Sequence, residues 1–174
     1  MSAPTPIQPE TKSWTWVLER RCPDCGFDAT TLDLGTIAAA LDDNARRWEA
    51  VLQRAGTSER PKPDVWSPLE YACHVRDVFR IFGTRLRRMV VEDAPRFANW
   101  DQDDTAVEDN YHAQDPAVVA RVLRAHADAL AATYGTVRDW SRLGYRSDGA
   151  TFTIDSFTRY LLHDPLHHLW DVAG

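Results

Sequence analysis

Apolar residues at positions 34, 37, 41, 45, 48, 51 and 52 follow the i, i+3, i+4 spacing of one helix face. They predict a first helix from Asp33 to about Gln53, with Gly56 beyond its end. Pro61 and Pro63 punctuate the next stretch, and Ser67-Pro68-Leu69-Glu70 is then a helix start. The serine can cap, the proline loses no bond at the first helical position, and the glutamate three residues after the cap can bond back to it. This second helix continues through Leu69, Cys73, Val78, Phe82, Leu86, Met89 and Val90 and ends near Glu92. Residues 92–114 are acidic and aromatic without period and read as a long surface connection. Asp115-Pro116 repeats the cap and proline, and Val119, Val122, His126, Leu130, Val137 and Trp140 mark the inner face of a third helix. Residues 142–153, with the β-prone Thr151-Phe152-Thr153, read as a loop or short hairpin. Asp155 or Ser156 is expected to cap a fourth helix that is apolar on nearly every side and runs to the C-terminus.

Four such helices predict an all-α four-helix bundle over residues 31–174. Residues 1–30 carry prolines at 4, 6, 9 and 23 and the turn Cys22-Pro23-Asp24-Cys25-Gly26, and are expected to form an extended N-terminal arm. The link between the second and third helices, roughly 23 residues, can run back along a helix about 37 Å long. The two middle helices can therefore be parallel.

Composition narrows the class. With 174 residues, 44% hydrophobic and 26% charged, the chain is sized for one globular domain. A formal charge of −6 argues against a grip on nucleic acid or an anionic membrane surface. The opening MSAPTPIQPETKSW lacks the basic start and apolar stretch of a secretion signal, so the expected location is the cytoplasm. Lys12 and Lys62 are the only lysines among 20 basic residues, and alanine is abundant, a bias that suits a GC-rich coding sequence.

Six histidines carry the candidate chemistry. His163 and His167 lie at i and i+4 on the last helix, where two imidazoles on one face can chelate one metal. His74, near the start of the second helix, can point inward as well. Three imidazoles leave a fourth position open, the arrangement of catalytic zinc, and core histidines satisfied by hydrogen bonds are the alternative. Pro165 between His163 and His167 predicts a kink, or a fresh segment that takes His163 out of range. Around the three candidates, Asp171 could orient His167 and Asp77 could orient His74. Glu70 could be a ligand or base, but its capping role already explains it. His126 falls on the inner stripe of the third helix as either a core histidine or a neighbour of the site. His168 can pair with Asp164 four residues earlier and reads as structural, and Cys73 reads as a small buried apolar residue. Cys22 and Cys25 form half of a zinc site. They could be completed by a second copy of the chain or by distant His or Cys, could be a redox pair, or could simply shape a turn.

Trp66-Ser67, His74-Val75-Arg76-Asp77 and the trio His163, His167 and His168 resemble the DinB/YfiT-like metalloproteins over about residues 33–174. The resemblance implies a four-helix bundle with parallel middle helices. It also implies a divalent metal, zinc first and nickel or iron next, on His74, His163 and His167. Members include thiol S-transferases using bacillithiol or mycothiol, mycothiol-dependent maleylpyruvate isomerase, and the DinB-like domain of ergothioneine-forming enzymes. The expected partners are therefore a small thiol, mycothiol if the arginine- and alanine-rich composition marks an actinobacterium, and an electrophile. Competing expectations are a non-catalytic binding module whose metal is closed by His126 or Glu70, and a homodimer joined through a shared zinc on the paired cysteines.

Overall fold

A computed structural model describes Ile7 and residues 13–174. Helix α1 spans Ile37–Leu52 and buries Leu41, Ala45, Trp48 and Val51 along one stripe. Helix α2, Pro68–Val91, starts at the expected capping box: Ser67 Oγ accepts from Glu70 N–H at 3.2 Å, and Glu70 Oε2 accepts from Ser67 N–H at 2.8 Å. Two orphan donors of the first turn are thereby satisfied.

The connection at 92–114 is more ordered than its aperiodic sequence suggests. It contains strand β1 (Arg96–Phe97), helix α3 (Gln102–Glu108) and a single 3₁₀ turn at Tyr111–Ala113. Part of its acidity is a cap, because the Asp101 carboxylate accepts from the backbone of Asp103 and Asp104. Tyr111 is fully buried, so the segment is not purely surface. Helix α4, Pro116–Tyr134, ends earlier than its periodicity predicts. Val137 is still buried beyond that end, and Trp140 stacks on Tyr134 with centroids 6.0 Å apart.

Strands β2 (Leu143–Arg146) and β3 (Thr151–Thr153) form the expected hairpin, and β1 joins β2 in parallel to make a three-stranded sheet. Helix α5, Ile154–Asp171, is capped by Thr153 instead of Asp155 or Ser156, with Ser156 serving as the reciprocal partner in the box. The helix runs unbroken through Pro165.

Side-chain contacts give the helix directions. Arg76 bonds Gln114 and its carbonyl faces His126, Gly83 lies against Leu130, and Arg142 reaches the Met89 carbonyl, so α2 and α4 climb together. Against α5 the order reverses, with His74 beside Asp164 and Phe82 beside Phe157. Asn44 of α1 donates to the Pro165 carbonyl and Arg54, just past the end of α1, to that of Val172, just past the end of α5, so α1 and α5 share a direction. The path is up, down, down, up, and the long 92–114 connection makes it possible.

The described part of the arm is not extended. It contains 3₁₀ turns at Thr15–Leu18 and Ala29–Thr31, with Val17, Cys22 and Ala29 buried, and a third at Leu34–Thr36 takes the place of the first turn expected of α1. Arg159 of α5 holds it by donating to the carbonyls of Ala29 and Leu32. Among the described residues no helix is long and apolar enough to cross a membrane.

One charged cluster is built into the core. Asp77 accepts from Arg76 at 2.6 Å, from Tyr111 Oη at 2.7 Å and from Arg80 at 3.1 Å. Burial alone would raise its carboxyl. Arg76, Tyr111 and Arg80 outweigh that and hold it below the usual carboxylate range. Removing one member of such a cluster strands the others, so Asp77→Ala is expected to lower the unfolding free energy by about 3 kcal/mol at neutral pH. Because the folded pKa is depressed, this contribution is present above the unfolded value of about 3.9 and fades as pH falls through the folded one. Urea unfolding of both proteins at falling pH should show the gap closing below about pH 4.

Candidate metal centre

At about 100° per residue, α5 presents two donor pairs one residue out of step. His163 and His167 share one face. Asp164 and His168 share the adjacent one. The structure divides the three expected metal histidines between two groups. His74 meets Asp164 and His168, whereas His163 and His167 meet Cys22 and Cys25, with the donor atoms of each group all within 4.8 Å of one another.

In the first group His74 is completely buried, and its Nε2 lies 3.2 Å from Asp164 Oδ1. His168 Nε2 is 3.9 Å from the same oxygen. Tetrahedral coordination with bonds of roughly 2.0–2.2 Å places donors about 3.4 Å apart, between these two separations. The His168 ring is oriented from behind, since its Nδ1 donates to Asp171 Oδ2 at 2.7 Å and leaves Nε2 to face the group. Trp100 stacks on His74 at 5.3 Å, Trp66 lies 5.5 Å away, and Tyr71 packs on His168 at 4.9 Å. Burial would raise the Asp164 carboxyl, yet His74 and His168 hold it down at about 2. Burial would lower His168, yet Asp164 and Asp171 raise it. His74 Nδ1 is buried without a hydrogen-bond partner among the described residues. An N, O, N donor set converging around a carboxylate, with one imidazole already oriented, fits a divalent cation.

A cavity of about 480 Å³ is lined by Asp164 and His168 of this group and by His163 and His167 of the other, with Trp14, Trp66, Tyr71 and Tyr160 in its walls. A side chamber of about 320 Å³ shares Asp164, Trp14 and Tyr160 with it and adds Arg85 and Arg146. Arg85 is buried between Phe82 and Phe97, donates to the Ala98 carbonyl, and forms no ion pair among the described residues. Burial and the neighbouring Arg146 lower it to about 10, so it stays cationic at neutral pH. Arg146 is paired with Asp148 and bonded to Tyr160 Oη.

In the second group, the rings of His163 and His167 are 5.1 Å apart, so Pro165 does not take His163 out of range. Burial, reinforced by His167, lowers His163 to about 4 and keeps it neutral. Burial pushes the Cys25 thiol up to about 11, with Cys22 adding to the shift. A thiol held protonated in this way is a poor free nucleophile.

The remaining candidates fall elsewhere. Asp77 belongs to the Arg76 and Tyr111 cluster and does not orient His74. Asp171 bonds His168 and approaches His167 Nε2 only to 3.9 Å. Glu70 is occupied by its cap and by Arg60. His126 Nδ1 donates to the Arg76 carbonyl at 3.2 Å. Cys73 is fully buried, with its thiol facing the Tyr111 carbonyl. Asp164 and His168 were open to discovery from sequence, because they repeat the i, i+4 spacing one position along. Read as an ion pair on the helix surface, the same spacing gives His168 and Asp164 a structural role and leaves no sign of a ligand.

Comparison with known proteins agrees with this architecture. The family model described as the DinB superfamily matches residues 55–172, which include α2, α4 and α5 but not the cysteine turn. Among solved structures, the chain is similar to YfiT from Bacillus subtilis, described as a probable metal-dependent hydrolase with an unusual four-helix bundle topology. That match has a TM-score of 0.71 at 15% identity and covers 80% of this chain and 85% of YfiT, a likeness of fold. No curated protein sequence matches the chain. With about two thirds of its length matched by the family model, and with the bundle path and a donor-rich α5 in place, the chain belongs to the DinB superfamily.

Proposed function

We propose that the protein is a metal-dependent enzyme in which His74, Asp164 and His168 hold a divalent cation, zinc first and nickel or iron next, that activates a small thiol for attack on an anionic electrophile. The observation that carries this reading is an oriented three-donor group whose Asp164 and His168 line a cavity large enough for a small-molecule substrate. Such a cation supplies Lewis acidity, which lowers the pKa of a thiol or water brought to it. Everything else is the work of the chain. Asp171 fixes the His168 tautomer, and Trp66 and Trp100 confine the His74 ring. Trp14 and Tyr160 form walls shared by both chambers. Arg85 offers a cation without a carboxylate partner to the charged end of the electrophile.

Glu70 and His126 are engaged elsewhere, which favours an open site over a closed binding module. A low-molecular-weight thiol such as mycothiol is the nucleophile expected from the family resemblance. Water in the same position would give the chemistry of a metal-dependent hydrolase, the activity described as probable for YfiT.

His74→Ala, Asp164→Ala and His168→Ala should each lose about one metal equivalent and bring activity down at least about 100-fold, as expected when a ligand that positions the activating ion is removed. Elemental analysis with a thiol-consumption assay over a panel of electrophiles checks this. Metal-replete protein that consumes neither thiol nor electrophile would sink the reading, and consumption of electrophile without thiol would assign water as the nucleophile.

Asp171→Asn keeps the shape but weakens the acceptor behind His168. Metal affinity should fall roughly 10- to 100-fold, as competition with a chromogenic chelator would show. For Arg85→Met the expected change is in KM for anionic electrophiles, about tenfold or more with kcat little altered, the size of one charged hydrogen bond. An equal effect on uncharged electrophiles would mean that Arg85 serves the fold alone.

A further inference from the structure

We infer that Cys22, Cys25, His163 and His167 form a second metal site, a closed Cys₂His₂ centre of the zinc class that fastens the N-terminal arm to α5. The inference does not depend on the reaction proposed for the other group. Two thiols and two imidazoles are the donor set that tetrahedral structural zinc takes. The spacings agree, with two residues between the cysteines and three between the histidines.

Folding then brings together residues about 140 positions apart in the chain. Cys22 Sγ and His167 Nδ1 are 3.6 Å apart. That matches the edge of about 3.6 Å expected between sulfur and nitrogen at roughly 2.3 and 2.05 Å from a tetrahedral ion. His163 Nε2 is buried with no hydrogen-bond partner among the described residues, a position that costs free energy until something binds it.

The turn is preformed for the purpose. Gly26 N–H donates to the Cys22 carbonyl at 3.1 Å, Cys22 N–H donates to the Phe27 carbonyl at 2.8 Å, and Arg21 Nε caps the Gly26 carbonyl. Gly26 has φ of +77°, a conformation that a side chain would strain. Around the donors, Trp14 lies 5.3 Å from the His163 ring and 5.2 Å from that of His167, and Phe27 lies 5.6 Å from His163. Cys22, His163 and His167 are buried.

A redox pair would leave the two converging imidazoles without a purpose. A dimer that shares four cysteines would seek from a second copy what the same chain already supplies. Binding M²⁺ here releases two thiol protons to solvent, and the two thiolates balance the charge of the ion. Four protein ligands leave no position for substrate, so the role is structural. It still bears on the cavity, because His163 and His167 stand in the cavity lining and Trp14, which packs on them, walls both chambers.

Cobalt(II) substitution of the full chain tests the assignment, since thiolate coordination gives a near-ultraviolet sulfur-to-cobalt charge-transfer band that a His and carboxylate site lacks. The wild type should show that band and bind about two cobalt ions. The Cys22→Ser/Cys25→Ser variant should lose the band and one equivalent, while His74→Ala/His168→Ala should keep the band and lose the other. Titrating wild-type thiols with a mercurial reagent reads the same site without a variant and should release about one equivalent. Absence of the band in the wild type, unchanged metal content in the serine variant, or thiol titration without metal release would each overturn the inference. Failure of the reading under Proposed function would instead appear as unchanged metal content in the His74 and His168 variant.

Discussion

A buried imidazole or carboxylate has to find partners, and α5 places three imidazoles and one carboxylate within six consecutive residues, 163–168. No single partner surface can satisfy them, because successive residues on a helix point about 100° apart. The molecule answers with two surfaces. The start of α2 brings His74 to Asp164 and His168, and the arm brings Cys22 and Cys25 to His163 and His167. The parallel course of α2 and α4, the long return connection with Trp100, and the folding of the arm over α5 all serve to deliver those partners to one short stretch of helix.

The elements that could be read directly were those with a local cause. The Ser67 to Glu70 capping box, the Asp115-Pro116 start and the apolar stripes of α1 and α2 depend on residues within a few positions of each other, and they appear as expected. The 92–114 connection could not be read so far, because its order comes from distant contacts. Tyr111 is buried by its bond to Asp77, and β1 exists only because β2 lies beside it. The cap of α5 was displaced for a similar reason, since Thr153 ends a strand and opens a helix at once.

The site shows the same division. Periodicity identifies α5 as the donor helix, and His74 of α2 lies at its contact with Asp164. What periodicity cannot supply is the angle at which two helices meet, and that angle decides which of two overlapping i, i+4 pairs His74 faces. The cysteines posed a harder problem, because nothing local to residues 22–26 indicates residues 163–167. The sequence shows half of a donor set, open to completion by a second copy of the chain or by distant His or Cys, and does not say which.

Asp171 gives the interleaving of the two pairs a thermodynamic meaning. Its carboxylate bonds His168 at 2.7 Å and stands 3.9 Å from His167, so one side chain faces both groups. A helix turns as a rigid body, and any rotation of α5 that improves the geometry at one face alters it at the other. Whatever occupies one face therefore sets the azimuth available to the other. With an ion at each face, the two occupancies would be linked by a coupling free energy equal in both directions. The arm would then act on the α2 side in two ways, by its own Trp14 in the cavity wall and by the angular setting of a single helix.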